Sequence, residues 1–181
     1  MSGVTTGQAD NNIAIGQDAL KGAAGTTGTN NVVMGTKSGC LVTTGARNTA
    51  IGENALMKAT TACENIAIGY RPLYNATVTG NQNIAMGYEP GAAVTSGLRN
   101  VLVGFRAGCA VSSGCHNIAI GEEAGTGVST QNGTINIGCG ANQTGAGIAC
   151  IVASCLMTAC FYETSDCRSK CNIKDLSLIH I

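Results

Sequence analysis

The chain has no tryptophan, 2 phenylalanines and 4 tyrosines in 181 residues. Large side chains fill globular cores, so an ordinary globular core is excluded. Charge is equally thin: charged residues make up 11%, and 10 Lys plus Arg balance 10 Asp plus Glu. No basic run stands beside the sparse aromatics, which argues against nucleic acid as a partner. With 2 histidines and no CxxC pair there is no zinc signature, and no metal or other cofactor is expected. No apolar stretch approaches the ~20 residues of a bilayer span. The nearest, Ile148 to Tyr162, is short and carries Ser154 and Thr158, so it reads as buried strands rather than a membrane insertion. The N-terminus, MSGVTTGQADNN, lacks a basic region and an apolar region. No secretory signal is therefore expected, unless the true start lies upstream. Glycoside hydrolysis needs a placed pair of carboxylates. Asp18, Glu53, Glu64, Glu89, Glu122 and Glu123 instead read as solvated residues scattered over turns, and His116 and His180 add no catalytic partner.

What the chain does have is 26 glycines and 44% hydrophobic residues, much of this being Ala, Val, Ile and Cys. It also repeats one phrase: asparagine, apolar, small, apolar, glycine. The copies are NIAIG at Asn12, NVVMG at Asn31, NTAIG at Asn48, NIAIG at Asn65, NIAMG at Asn83, NVLVG at Asn100 and NIAIG at Asn117, with a degenerate TINIG at Thr134. The start-to-start spacings are 19, 17, 17, 18, 17, 17 and 17. A fixed period means one supersecondary unit stacked many times. Small apolar residues leave one copy of the chain with a thin core, which predicts oligomerisation.

The alternation within each phrase predicts a β-strand. Ile13 and Ile15, or Ile66 and Ile68, point one way, while Ala14 or Ala67 points the other. Val33 and Leu102 are exceptions to the small residue between. A small residue there implies close packing on that face as well, as in a coil inside a multichain bundle. Gly16, Gly35, Gly52, Gly69, Gly87, Gly104, Gly121 and Gly138 follow the strands, supplying a positive-φ turn or room for a neighbouring backbone. Asn12, Asn31, Asn48, Asn65, Asn83, Asn100 and Asn117 are placed to cap turns or to stack into a ladder. A weaker segment (VTTG at Val42, VTSG at Val94, VSSG at Val111) reads as a second short strand. At ~4.8 Å per rung, eight rungs predict a shaft of roughly 38 Å.

Cys40 and Cys109 share one repeat position, and Cys63 and Cys115 another. All ten cysteines read first as buried free thiols, then as disulfides, and last as metal ligands. Sequons occur at Asn75, Asn132 and Asn142 and matter only in a glycosylating compartment. The Ser and Thr ranks suggest ice or polysaccharide binding, but their position drifts with repeat length.

The NIAIGxxA phrase resembles the head repeats of trimeric autotransporter adhesins, and more closely the AIG repeats of virus and phage tail fibres. NTAIGENALMKATTACEN, Asn48 to Asn65, carries that likeness. It extends over roughly Asn11 to Ala141. The resemblance implies an all-β, repetitive parallel β-roll or β-solenoid shaft assembled as a homotrimer. TSDCRSKCNI, Thr164 to Ile173, resembles the opening of the intramolecular chaperone domain of endosialidase-type tail fibres. That resemblance implies a self-cleaving nucleophile, Ser165, with Lys170 as its base. Ser169 departs from the usual leucine of this motif. The final LSLIHI, Leu176 to Ile181, resembles a translated sequencing adapter.

The expected organisation is a lead-in over 1–11 and a repeat shaft over 12–145. An apolar strand connector follows over 146–164, then a truncated chaperone start over 165–175, and adapter residues over 176–181. The expected function is structural. The chain reads as the shaft of a trimeric phage or virus appendage for host attachment, on the virion or extracellular, with itself and a host-surface receptor or glycan as partners. The alternative is a bacterial surface adhesin or extracellular filament. No enzyme activity is expected beyond a single self-cleavage by the missing domain.

Overall fold

In the repeating phrase, β-branched residues flank a residue small enough to face a thin interior, and such a segment adopts extended backbone. The computed structural model describes residues 11–22, 27–74, 77–142 and 145–151. Its strands are β1 (Ile13–Ile15), β2 (Val32–Met34), β3 (Thr49–Ile51), β4 (Ile66–Tyr70), β5 (Ile84–Tyr88), β6 (Val101–Val103), β7 (Ile118–Ile120), β8 (Ile135–Ile137) and β9 (Ala149–Ile151). They form one nine-stranded sheet in chain order. Every pairing is parallel and joins equivalent residues, as in Ile66↔Ile84 and Ala67↔Ala85. The fold is an all-β parallel β-solenoid in which each repeat adds one rung. The ninth strand falls in the expected apolar strand connector and pairs with β8.

Three inward positions per rung build the core. Counting the repeat asparagine as position 0, they are the small residue at 2, a Leu or Gly at 8, and a Val or Ala near 11. Leu56, Leu73, Leu102, Val42, Val78, Val94, Val111 and Val128 are all buried at 1% exposure or less. The chain thus encloses its own core, and the small strand residues face it. The larger residues at positions 1 and 3 point away from it.

An asparagine ladder runs beside this core. Asn83 donates to Asn65 Oδ1 from its backbone N (2.8 Å) and from Nδ2 (3.2 Å), and Nδ2 also donates to Gly97 O (2.9 Å). Asn100 repeats the pattern on Asn83. At the degenerate copy Thr134 takes the asparagine place, donating its N and Oγ1 to Asn117 Oδ1 at 2.9 and 2.8 Å. Asn136 replaces the small residue and is fully buried.

The corners depend on left-handed backbone. Among the described residues seventeen other than glycine have positive φ, all at positions −1, 6 or 8, among them Arg47, Glu64, Arg71 and Leu73. Each such residue costs about 1–2 kcal/mol. The turn it makes aims its N–H along the shaft at the adjacent rung: Arg71 N donates to Glu53 O (3.0 Å) and Glu64 N to Ala46 O (3.0 Å). Position 4 must be glycine for two reasons. At Gly87 φ is 131°, and a Cβ there would lie 2.5 Å from Gly104 O.

The expected second strand does not form. Outside the named strands, the described residues hold one isolated bridge, Ala59 with Val78. The N–H groups of Thr43, Thr44 and Gly45 all converge on Thr60 O, at 2.9, 3.1 and 3.2 Å. Thr43 Oγ1 joins them at 2.9 Å. Convergence on one carbonyl curls the chain, where a strand would spread its donors over alternate acceptors.

Candidate interaction face

Because alanine turns inward, positions 1 and 3 of each strand form two outward files running the length of the sheet. Ile13 and Ile15 are 52% and 56% exposed, and Met34, Ile66, Met86 and Ile120 are exposed too. Thr49 is the one polar side chain on these files, and no charge interrupts them. Files of this kind lie ~7 Å apart and here extend over roughly 38 Å. Contiguous apolar surface of that extent on a soluble chain marks an interaction site.

The two ends of each strand bound this face. Beyond the glycine, position 5 carries a stack of rings. Tyr70 and Tyr88 lie 4.9 Å apart at 22°, and Tyr88 and Phe105 lie 5.2 Å apart at 19°. In β4 and β5 the strand runs on through the glycine to the tyrosine, so the apolar face widens there. Position 6 follows with alternating charge: Arg71 pairs with Glu89 (3.4 Å) and Arg106 with Glu123 (3.1 Å). The Arg71 guanidinium also lies 4.9 Å from both the Tyr70 and Tyr74 rings.

At the other end, position −1 carries a polar ladder. Arg47 Nη2 lies 2.6 Å from Glu64 Oε1. Gln82 Nε2 donates to Glu64 Oε2 (2.8 Å), and Arg99 Nε donates to Gln82 Oε1 (2.9 Å). The hydrogen bond from Gln82, then those from Arg47 and its charge, hold the Glu64 carboxyl below its ordinary range. A groove of about 410 Å³ follows this ladder, lined by Arg47, Cys63, Glu64, Asn81, Gln82, Leu98 and Arg99.

The acidic residues are thus not scattered. Glu53 and Glu122 share position 5, Asp18, Glu89 and Glu123 share position 6, and Glu64 sits at position −1. Their order emerges only when the repeats are aligned on asparagine, because their partners lie a full repeat away in sequence.

The ladder asparagines from Asn31 to Asn117 are buried. Asn132 and Asn142 are exposed, and their Oδ1 atoms accept from Cys115 N and Gly127 N, each at 2.7 Å. Asn75, Ser165 and Lys170 lie outside the described residues. The six described cysteines are free. They are not buried as expected: Cys40, Cys63, Cys109 and Cys115 are half-buried and Cys139 is exposed, because positions 5, 9 and 15 lie at corners, while Cys150, also half-buried, sits in β9 opposite Asn136. Among the described residues no group of three His, Cys, Asp or Glu is placed to hold a metal. Among the described residues no helix is long and apolar enough to cross a membrane.

No family model, curated protein or solved structure matches the chain, so the uncharged apolar face and its two bordering ladders carry the functional reading.

Proposed function

We propose that the chain is the shaft of a homotrimeric fibre, an appendage of a phage or virus that serves host attachment. The observation that carries this is the outward apolar face, which runs the length of the solenoid without a charge. A second copy of this chain suits that face because its side chains recur at the same spacing per rung. Two such faces stay in step over every rung, whereas a partner of another period drifts out of step. Burial of the face supplies the hydrophobic gain that the thin core of one copy lacks. The shaft then holds receptor-binding parts away from the particle. A surface adhesin built on the same rung is the alternative, and neighbouring genes for virion parts or for a membrane anchor separate the two.

Sedimentation of the full chain tests the assembly. The expected species is a trimer, and Ile68→Lys with Ile120→Lys is expected to give a folded monomer. A wild-type chain that stays monomeric at every concentration would overturn the reading. The self-cleavage role of Ser165 and Lys170 stays a proposal resting on resemblance. Intact-mass measurement of a version carrying the complete chaperone domain tests it, with Ser165→Ala expected to leave the chain uncut.

A further inference from the structure

The two borders of the apolar face carry complementary groups on the rungs of β3, β4 and β7. A rotation axis parallel to the shaft brings the strand ends of one chain beside the strand starts of the next. Positions 5 and 6 of one copy then face position −1 of its neighbour. In register, Arg47 meets Glu53 on the rung of β3, Glu64 meets Arg71 on that of β4, and His116 meets Glu122 and Glu123 on that of β7. On the rung of β6 Arg99 meets the Phe105 ring, a cation–π pairing, and also the like-charged Arg106, the one adverse pair in register.

A one-rung stagger either way turns the Arg47 and Glu64 pairs into like charges, two adverse pairs against the carboxylate contact that Arg99 gains. Shifted one way, Arg47 faces Arg71 and Glu64 faces Glu89. Shifted the other way, Arg47 faces Lys37 and Glu64 faces Glu53. Like charges across an interface suppress the wrong alignment more strongly than matched charges reward the right one.

Two further observations agree. Glu53 and Glu122 form no ion pair among the described residues; Glu53 accepts from Asn54 Nδ2 at 3.1 Å, and Cys139 Sγ lies 4.0 Å from Glu122. In register Glu53 gains Arg47, whereas either stagger sets it against Asn30 or Glu64. Thr49 is the lone hydroxyl on the apolar files, and in register the Thr49 residues of neighbouring copies meet at one level. A stagger instead sets them against Val32 or Ile66. A single polar level inside an apolar seam is a known means of fixing register.

We propose that these borders form an interchain charge seam that selects the parallel, in-register assembly of this chain with copies of itself. The inference rests on the self-assembly reading above.

The test combines two readouts on the full chain. The first is the concentration for half-assembly, by sedimentation, for wild type and for Glu53→Lys with Glu122→Lys. These carboxylates form no ion pair among the described residues, so circular dichroism of the variant should match wild type. Half-assembly is expected to need at least about tenfold more protein, since each matched pair becomes repulsive in every seam. The second uses a photo-crosslinking phenylalanine analogue at Tyr88, with isotopically light and heavy chains mixed, so that interchain products are identified by mass. The expected product joins Tyr88 to the neighbour's peptide containing Gln82. A wild-type monomer would overturn both the seam and the shaft reading. An assembly that ignores the double substitution, or that crosslinks to another rung, would overturn the seam alone.

Discussion

At the scale of single residues, the core is a matched pair of positions. Where position 8 is leucine, position 2 is alanine, as in Leu56 with Ala50 and Leu73 with Ala67. Where position 2 is large, position 8 is glycine: Val33 goes with Gly39 and Leu102 with Gly108. A Cβ at Gly91 would meet Leu102 Cδ1 at 2.7 Å and Leu73 Cδ2 at 2.8 Å, so neighbouring rungs share the same volume. Val33 and Leu102 look like exceptions in sequence and are compensations in space. Leu102→Ala is expected to cost about 2–5 kcal/mol through the cavity it leaves. Gly108→Leu alone is expected to be destabilising by overpacking. Together they recreate the Ala67 and Leu73 arrangement, and the double variant should be more stable than the two single losses predict. Urea unfolding of all four proteins measures this coupling, and strict additivity would refute the exchange.

The asparagine ladder is less forgiving. Asn83→Ala strips a buried acceptor from two Asn100 donors and leaves Gly97 O without its donor, while Asn65 Oδ1 keeps only the backbone N–H of residue 83. Each buried group left unmet costs about 1–3 kcal/mol, so a loss of roughly 3 kcal/mol or more is expected in the same assay. Asn83→Thr should lose less, because Thr134 already occupies this place with both its donors bonded.

At the scale of the element, sequence pattern and structure part company in an instructive way. The strands were legible because alternation and the invariant glycine are local signals. The asparagine ladder was also legible, because only one residue type recurs there. The facing of the strand was not: Ile–Ala–Ile alternates equally well whichever side is inside, and only closure of Leu and Val from the far side of the rung decides it. The corners were hidden more deeply. Arg47, Glu64, Arg71 and Glu89 occupy left-handed positions that turn rules assign to Gly, Asn and Asp. What holds them is the bond to the adjacent rung, seventeen or eighteen residues away.

One corner carries a pH dependence. The carboxyl of Glu64 has a lower pKa in the folded chain, through Gln82 first and Arg47 second. The sign follows from linkage. The unfolded chain binds this proton more readily, so the contribution to stability is complete above the unfolded-state pKa and disappears as pH falls through the folded one. Acid should therefore lower the melting temperature of wild type more than that of Glu64→Gln. Parallel acid profiles for the two proteins would count against this assignment.

On the whole molecule, stability in a stacked array is close to a sum of rungs and nearest-neighbour interfaces. Whole rungs are then removable, provided the columns still match. Deleting residues 83–99 joins Gln82 to Asn100 and preserves the asparagine, glycine and core columns. It also removes Glu89 and sets Arg71 directly beside Arg106 at position 6. Deleting residues 83–116 removes two rungs but brings Arg71 beside Glu123, restoring opposite charge. Both chains should fold, because each new junction repeats a native one in backbone terms. They should differ in their response to salt. Screening relieves the repulsion in the one-rung deletion, so its melting temperature should rise as salt increases from low ionic strength. The two-rung deletion should show no such rise. If both respond alike, the alternating column contributes nothing to how rungs choose their neighbours, and the ladder of asparagines with the packed core would suffice to stack them.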